Sequence, residues 1–126
     1  MRKIKVVICE PGKRAQVVSI DRSLDTYQEI VDGYIEAVYP FDEPVAIVCN
    51  DEGKLSGLPL NRGMRDEDGQ IYDILCGTFF IVGLGQTDFK SLTDKQAEKY
   101  RAMFDWPEHF TRINNSYFAI PYNPEG

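Results

Sequence analysis

The apolar residues of this chain come in short runs, each closed by glycine, proline or a turn sequence. Lys3–Cys9 and residues 45–49 and 78–82 have the length of strands, and Ile4, Val6 and Ile8 alternate with other residues in the first. Runs of four to eight residues bounded by turn signals are typical of strands. A chain patterned in this way is predicted to fold around a sheet with short connections.

Two helices are predicted between the strands. Ser23 is a good N-cap residue for the first helix, and Gly33 is expected to provide its left-handed end. In the second helix Thr93 and Gln96 have the spacing of a capping box, and Pro107 lies beyond its end.

The order of the predicted elements sets the fold class. Lys3–Cys9 and residues 15–20 are expected to form an opening hairpin, residues 34–39 another strand, and residues 54–70 show little periodicity. Strands and helices do not alternate strictly, so we predict an α+β fold. The 126 residues suit one domain, 1–126, with a mainly antiparallel, curved sheet and two helices packed on it.

Charge and cysteine content exclude several classes of protein. The net charge is −6, and residues 23–52 hold eight acidic residues with no lysine or arginine. This balance argues against binding of duplex nucleic acid, which requires a basic face. The acidic segment either faces a basic partner or is neutralised by basic residues on neighbouring strands. No apolar run has the length of a membrane helix, and three cysteines without C-x-x-C spacing indicate free thiols in the cytoplasm.

A polar, glycine-containing segment over residues 50–62 is the strongest candidate for a binding site. Gly53 is expected to adopt a positive φ, Lys54 could supply a point charge, and Arg62 could clamp a phosphate or carboxylate. Asp73, on the next strand, is expected to pair with Arg62. In the alternative interpretation these groups only stabilise their own backbone. The candidate ligand- or partner-binding residues are Asn50, Glu52, Lys54, Asn61, Arg62 and Asp73.

The same segment carries a family resemblance. Residues 50–62 read NDEGKLSGLPLNR, which resembles the signature of the family called domain of unknown function 3846. Glu10-Pro11-Gly12 and residues 30–36, 73–79 and 88–93 agree with that family's pattern over roughly residues 4–95. Asp32 and Asp51 stand where the pattern often has Gly and Glu.

The resemblance implies an origin in phages, conjugative elements or Gram-positive bacteria, and it implies no activity. The helix and tail over about residues 93–126 are expected to be a C-terminal helical addition to the shared pattern.

Two hypotheses of function follow. The first is a cytoplasmic interaction module of phage or mobile-element origin, with a host-interaction or anti-defence role. The second is a protein, or small enzyme, that binds a phosphate- or carboxylate-bearing small molecule through residues 50–62. The first hypothesis is favoured over an enzyme, and we expect Arg62→Ala to abolish binding at little cost in stability.

Catalytic, metal and cofactor sites are not predicted. His109 is the only histidine, it lies near the end of the chain, and it is expected at the surface or half-buried. No spacing of ligands typical of a metal site is present. Four aromatic residues near the end are expected either to pack on the sheet or to form a surface for self-association; they are Phe110, Tyr117, Phe118 and Tyr122.

Overall fold

The architecture is that of a computed structural model, in which residues 2–126 are described. Over those residues the chain forms ten strands and two helices. In chain order these are β1 (Lys3–Cys9), β2 (Gln16–Asp21), α1 (Leu24–Val31), β3 (Ile35–Val38), β4 (Val45–Asn50), β5 (Leu60–Arg65), β6 (Ile71–Cys76), β7 (Phe79–Leu84), β8 (Phe89–Lys90), α2 (Asp94–Met103), β9 (Glu108–Ile113) and β10 (Ser116–Pro121).

One antiparallel sheet organises the molecule. Its strands follow the order β2-β1-β7-β4-β3, and the short β8 pairs with the end of β7. Every neighbouring pair in this sheet is antiparallel. Two separate hairpins, β5–β6 and β9–β10, complete the strand content. The prediction of an α+β fold with antiparallel sheets and two helices is confirmed.

Both faces of the central sheet are covered. Successive side chains of a strand point to opposite faces, so Val6 and Val7 of β1 enter two different cores. On one face α1 contributes Tyr27 and Val31 to the core. On the other face lie Tyr100 of α2 and residues from the β5–β6 hairpin. β4 and β7 are buried on both faces, which explains why they are continuous apolar runs.

The helix ends follow the predicted capping chemistry with one correction. The Ser23 side chain accepts a hydrogen bond from the Thr26 amide, and the capping box of Thr93 and Gln96 is present. The left-handed residue at the end of α1 is Asp32, with φ of 61°, and not Gly33 as predicted. Aspartate is one of the few residues that adopt this conformation readily.

Strand β5, the short strand β8 and the hairpin β9–β10 were not predicted from the sequence. β5 lies within residues 54–70, where the sequence shows little periodicity, because two of its buried residues, Asn61 and Arg62, are polar. The chain after α2, which was expected to be a tail behind the helix, forms the hairpin β9–β10. Asn114 and Asn115 form its turn with positive φ, a pair that suits a two-residue hairpin loop.

Candidate functional site

The six candidate residues fall in two different places. Asn50, Glu52, Lys54 and Asp73 lie along one surface cleft, whereas Asn61 and Arg62 lie in the interior. The structure therefore does not bring the six residues together into one site.

Arg62 faces inward from β5 and is only 1% exposed. Its Nε donates to the Phe104 carbonyl oxygen at 3.0 Å, and its Nη2 donates to the Lys13 carbonyl oxygen at 2.6 Å. Its Nη1 donates to Asn61 Oδ1 at 2.6 Å. Burial lowers the pKa of this guanidinium. Its hydrogen bonds join three segments of the chain. The side chain is thus engaged in internal hydrogen bonds and is not aimed at an external phosphate or carboxylate.

Asn61 completes the same buried network. Its Nδ2 donates to the carbonyl oxygen of Cys9 at 2.9 Å and to that of Gly77 at 2.8 Å. With Oδ1 occupied by Arg62, the amide is hydrogen-bonded at both ends. Asn61 therefore connects β1 and the β6–β7 bend to β5. This agrees with the alternative interpretation, in which the polar residues of this segment stabilise the backbone of the protein itself.

The predicted pair of Arg62 and Asp73 is wrong. Asp73 instead forms an ion pair with Lys54, which connects the turn after β4 to β6. This hydrogen bond from Lys54 to Asp73 raises the pKa of Lys54. Both side chains remain substantially exposed, so the pair contributes little to stability. It does remove Lys54 as a free cation for an anionic ligand.

Asn50 stabilises the end of α1. Its Nδ2 donates to the carbonyl oxygens of Val31 at 3.1 Å and Asp32 at 3.0 Å, two acceptors that the helix leaves free. Its Oδ1 accepts a 2.7 Å hydrogen bond from the Glu52 amide. A Cβ on Gly33 would lie 2.6 Å from Asn50 Nδ2, so this contact requires glycine there. Asn50 is thus a structural residue at the edge of the cleft.

Gly53 is also required for close packing. It does not have the predicted positive φ, which is found in this turn at Gly57 instead, at 71°. A Cβ at Gly53 would lie 3.0 Å from the Cys76 carbonyl oxygen. The turn therefore lies directly against the end of β6.

The cleft itself has a volume of about 570 Å³. It is lined by Glu36 and Val38 of β3, by Cys49 of β4, by the turn over residues 51–55 and by residues 72–76 of β6. Three exposed apolar or aromatic side chains contribute to its lining. They are Tyr39, Leu55 and Tyr72.

Unpaired carboxylates surround this cleft. Of the eight acidic residues in 23–52, only Glu43 forms an ion pair within the described residues 2–126. Glu36, Asp51 and Glu52 line the cleft. By contrast, five of the six basic residues in 1–22 pair with carboxylates. The basic residues of 1–22 are thus mostly neutralised by ion pairs, whereas most of the acidic residues of 23–52 are not.

The sheet edge beside the cleft was not anticipated from the sequence. In the part of the chain that the structure covers, β3 pairs only with β4, so its other edge is open. The Asp51 amide donates to the Tyr34 carbonyl oxygen at 3.1 Å. Hydrogen-bonded and outward-facing residues alternate in an antiparallel strand. The backbone groups of Ile35 and Ala37 therefore face outward. Strand order, which periodicity does not encode, decides this feature.

The C-terminal hairpin is anchored to the rest of the protein through Glu108. Its Oε1 accepts a 2.7 Å hydrogen bond from the Gly63 amide, and its Oε2 one of 2.6 Å from Arg65 Nη2. Phe110 is half-buried, whereas Tyr117 and Phe118 are exposed. Self-association through these aromatics stays a prediction.

The cysteines and the histidine of the chain lie in different surroundings. Within residues 2–126, no group of three or more histidine, cysteine, aspartate or glutamate side chains is placed to hold a metal ion. All three cysteines are free and buried, and burial raises the pKa of Cys49, which lines the cleft, to about 11. The Cys49 thiol is therefore not activated as a nucleophile by its surroundings. His109 is exposed and stacks on Tyr122 with ring centroids 3.9 Å apart.

Neither helix in the described part of the chain is long and apolar enough to cross a membrane.

Comparisons with known proteins give a family and no activity. Neither the curated proteins nor the solved structures include a match to this chain. The family described as a domain of unknown function, DUF3846, matches residues 4–105. The match extends about ten residues beyond the range expected from the sequence, includes α2, and stops before the C-terminal hairpin. The chain therefore belongs to the DUF3846 family.

Proposed function

We propose that this protein is an interaction module that binds a protein partner through the cleft between β3, the 51–55 turn and β6. The observation that carries the proposal is the combination of unpaired carboxylates with exposed aromatic and apolar side chains in one groove. Aromatic side chains supply contact area at a protein interface, and charge supplies specificity and rate of association. The net charge of −6 favours a basic partner.

A small anionic ligand is less well supported. Recognition of phosphate or carboxylate requires available cations. Lys54 is paired with Asp73, and Arg62 is buried in internal hydrogen bonds. The remaining charges that line the cleft are negative. Among the described residues, the alternative of a small-molecule binding protein or small enzyme therefore has no free cationic centre in this groove.

The expected biological setting is part of the same proposal. Free, buried thiols suit a reducing cytoplasm. The origin in phages or mobile elements that the family resemblance implies would make a host protein the natural partner class, in a host-interaction or anti-defence role. This setting is inferred from the family resemblance and from the chemistry of the cleft together.

The test is affinity capture from a lysate of the native host with the unaltered protein and with the double variant Asp51→Lys, Glu52→Lys. Both residues are exposed, and neither side chain forms an ion pair in the described residues. Crosslinking followed by mass spectrometry would identify which segment of the captured partner touches the cleft.

A matched control is the double variant Glu67→Lys, Asp68→Lys. It makes the same change in net charge on the exposed turn between β5 and β6, away from the cleft lining. A partner lost with the cleft variant and retained with the control supports the proposal. Equal capture by both variants, or crosslinks confined to other surfaces, would overturn it.

A further inference from the structure

The open edge of β3 lies beside the acidic cleft, and the two features together suggest how a partner binds. Ile35 and Ala37 present their backbone amide and carbonyl groups outward, with no strand beside them in residues 2–126. Unpaired strand edges are templates for the addition of another strand. Resting on the proposed function, we propose that a basic, extended segment of the partner adds to the sheet as a strand beside β3.

The faces of β3 define the side chains that such a segment needs. Glu36 and Val38 face the cleft, where Asp51 and Glu52 add further negative charge. Ile35 and Ala37 are half-buried against the core beneath α1. Because side chains of adjacent strands align face to face, the added strand should alternate lysine or arginine on the cleft side with apolar residues on the other.

A second copy of this chain does not satisfy these requirements. If β3 paired with β3 of another molecule, the two acidic clefts would lie side by side and the Glu36 side chains would share one face. Like charges in that position destabilise a strand pair. The free carboxylates therefore select against self-pairing and in favour of a basic segment.

The opposite edge of the sheet offers an internal comparison. β2 is also an edge strand, and the Arg22 amide donates to the Arg2 carbonyl oxygen at 3.0 Å. By the same alternation, the backbone amide and carbonyl of Ser19 on β2 point outward, as those of Ala37 do on β3. The nearby acid Asp21 is already paired with Lys3 at 2.9 Å. Within residues 2–126, this edge has open backbone groups and no cluster of free carboxylates beside it.

The experiment uses an eight-residue peptide of alternating lysine and valine, with blocked ends, added to the full chain. A peptide of alternating lysine and proline has the same charge but cannot continue a strand ladder. We expect the lysine-valine peptide to slow amide hydrogen exchange at Ile35 and Ala37, and the lysine-proline peptide to leave those rates unchanged. Equal effects of both peptides, or protection on β2 instead, would overturn strand addition.

Backbone variants separate the mode of binding from the proposed function. Proline is tolerated on an edge strand where its missing N–H faces outward. Ala37→Pro is therefore expected to fold and to weaken peptide binding by about ten-fold, while Ser19→Pro leaves it within about two-fold. Circular dichroism and thermal unfolding check that both variants fold. If Ala37→Pro fails to fold, the exchange rates of the unaltered protein still test the proposal.

The two failures are distinguishable. If Asp51→Lys, Glu52→Lys abolishes capture of the partner but Ala37→Pro leaves both capture and peptide binding intact, the interaction module stands and strand addition is wrong. If neither set of changes alters capture, the proposed function itself fails.

Discussion

The Arg62 guanidinium and the Phe104 carbonyl oxygen form a 3.0 Å hydrogen bond that connects β5 to the end of α2. The same side chain also bonds the Lys13 carbonyl oxygen. One residue therefore joins the β5–β6 hairpin, the second helix and the β1–β2 turn, which are distant in sequence.

Arg62→Ala is expected to lower the free energy of unfolding by about 3–5 kcal/mol, because it leaves several buried acceptors without a donor. This reverses the sequence-based expectation of a small cost. Urea unfolding measures the effect. Arg112→Ala, which removes an exposed arginine from the C-terminal hairpin, should change stability by less than about 0.5 kcal/mol. Similar values for the two variants would contradict the role given to Arg62.

Asn50→Ala is expected to destabilise the protein by about 1–2 kcal/mol, because the Val31 and Asp32 carbonyl oxygens lose their donor. Asn50→Asp should cost more, because it places a negative charge at the carboxyl end of α1. Thermal unfolding compares both with Asp51→Asn, whose side chain makes no contact of this kind. An Asn50→Asp variant as stable as the unaltered protein would refute the capping role.

Glu43 should make part of the stability depend on pH. Hydrogen bonds from Lys99, Tyr100 and Gln96 lower the pKa of Glu43 to about 2 from its usual 4.5. A carboxyl with a depressed pKa stabilises the fold above its unfolded value, and that contribution is lost as pH falls from 4.5 towards 2. Unfolding measured across this window should show a shallower slope for Glu43→Gln. Identical slopes for Glu43→Gln and the unaltered protein would contradict this role of Glu43.

The thiols should be unreactive in the folded protein. Burial raises the pKa of Cys9 to about 12 and that of Cys49 to about 11, so little thiolate exists near neutral pH. A chromogenic disulfide reagent should therefore label none of the three cysteines rapidly before unfolding and all three in urea. Rapid labelling of one thiol in the native state would show that the cleft or core opens.

Duplex DNA is expected to bind weakly or not at all at physiological salt. Phosphate contacts need available cations, and most basic residues near the start of the chain are already paired while seven acids in 23–52 are not. A gel shift with micromolar affinity and a steep dependence on salt would contradict this expectation.

The sequence alone determined the elements whose signals are local. Alternation in β1, the apolar runs of β4 and β7, and the caps Ser23 and Thr93 depend on neighbours within a few residues. Local geometry is enough for such features, because strand faces repeat every two residues and caps act within one turn. The α+β class followed from their order.

Only the tertiary structure decided what the candidate site residues do. Asn50, Asn61 and Arg62 are polar residues in or beside a segment whose sequence shows little periodicity, and that pattern is equally consistent with an exposed site and a buried network. Their acceptors, such as the Lys13 and Phe104 carbonyl oxygens, come from remote parts of the chain. The open edge of β3 likewise depends on strand order. Residue spacing does not specify which distant groups meet, so burial and pairing emerge only when the chain is folded.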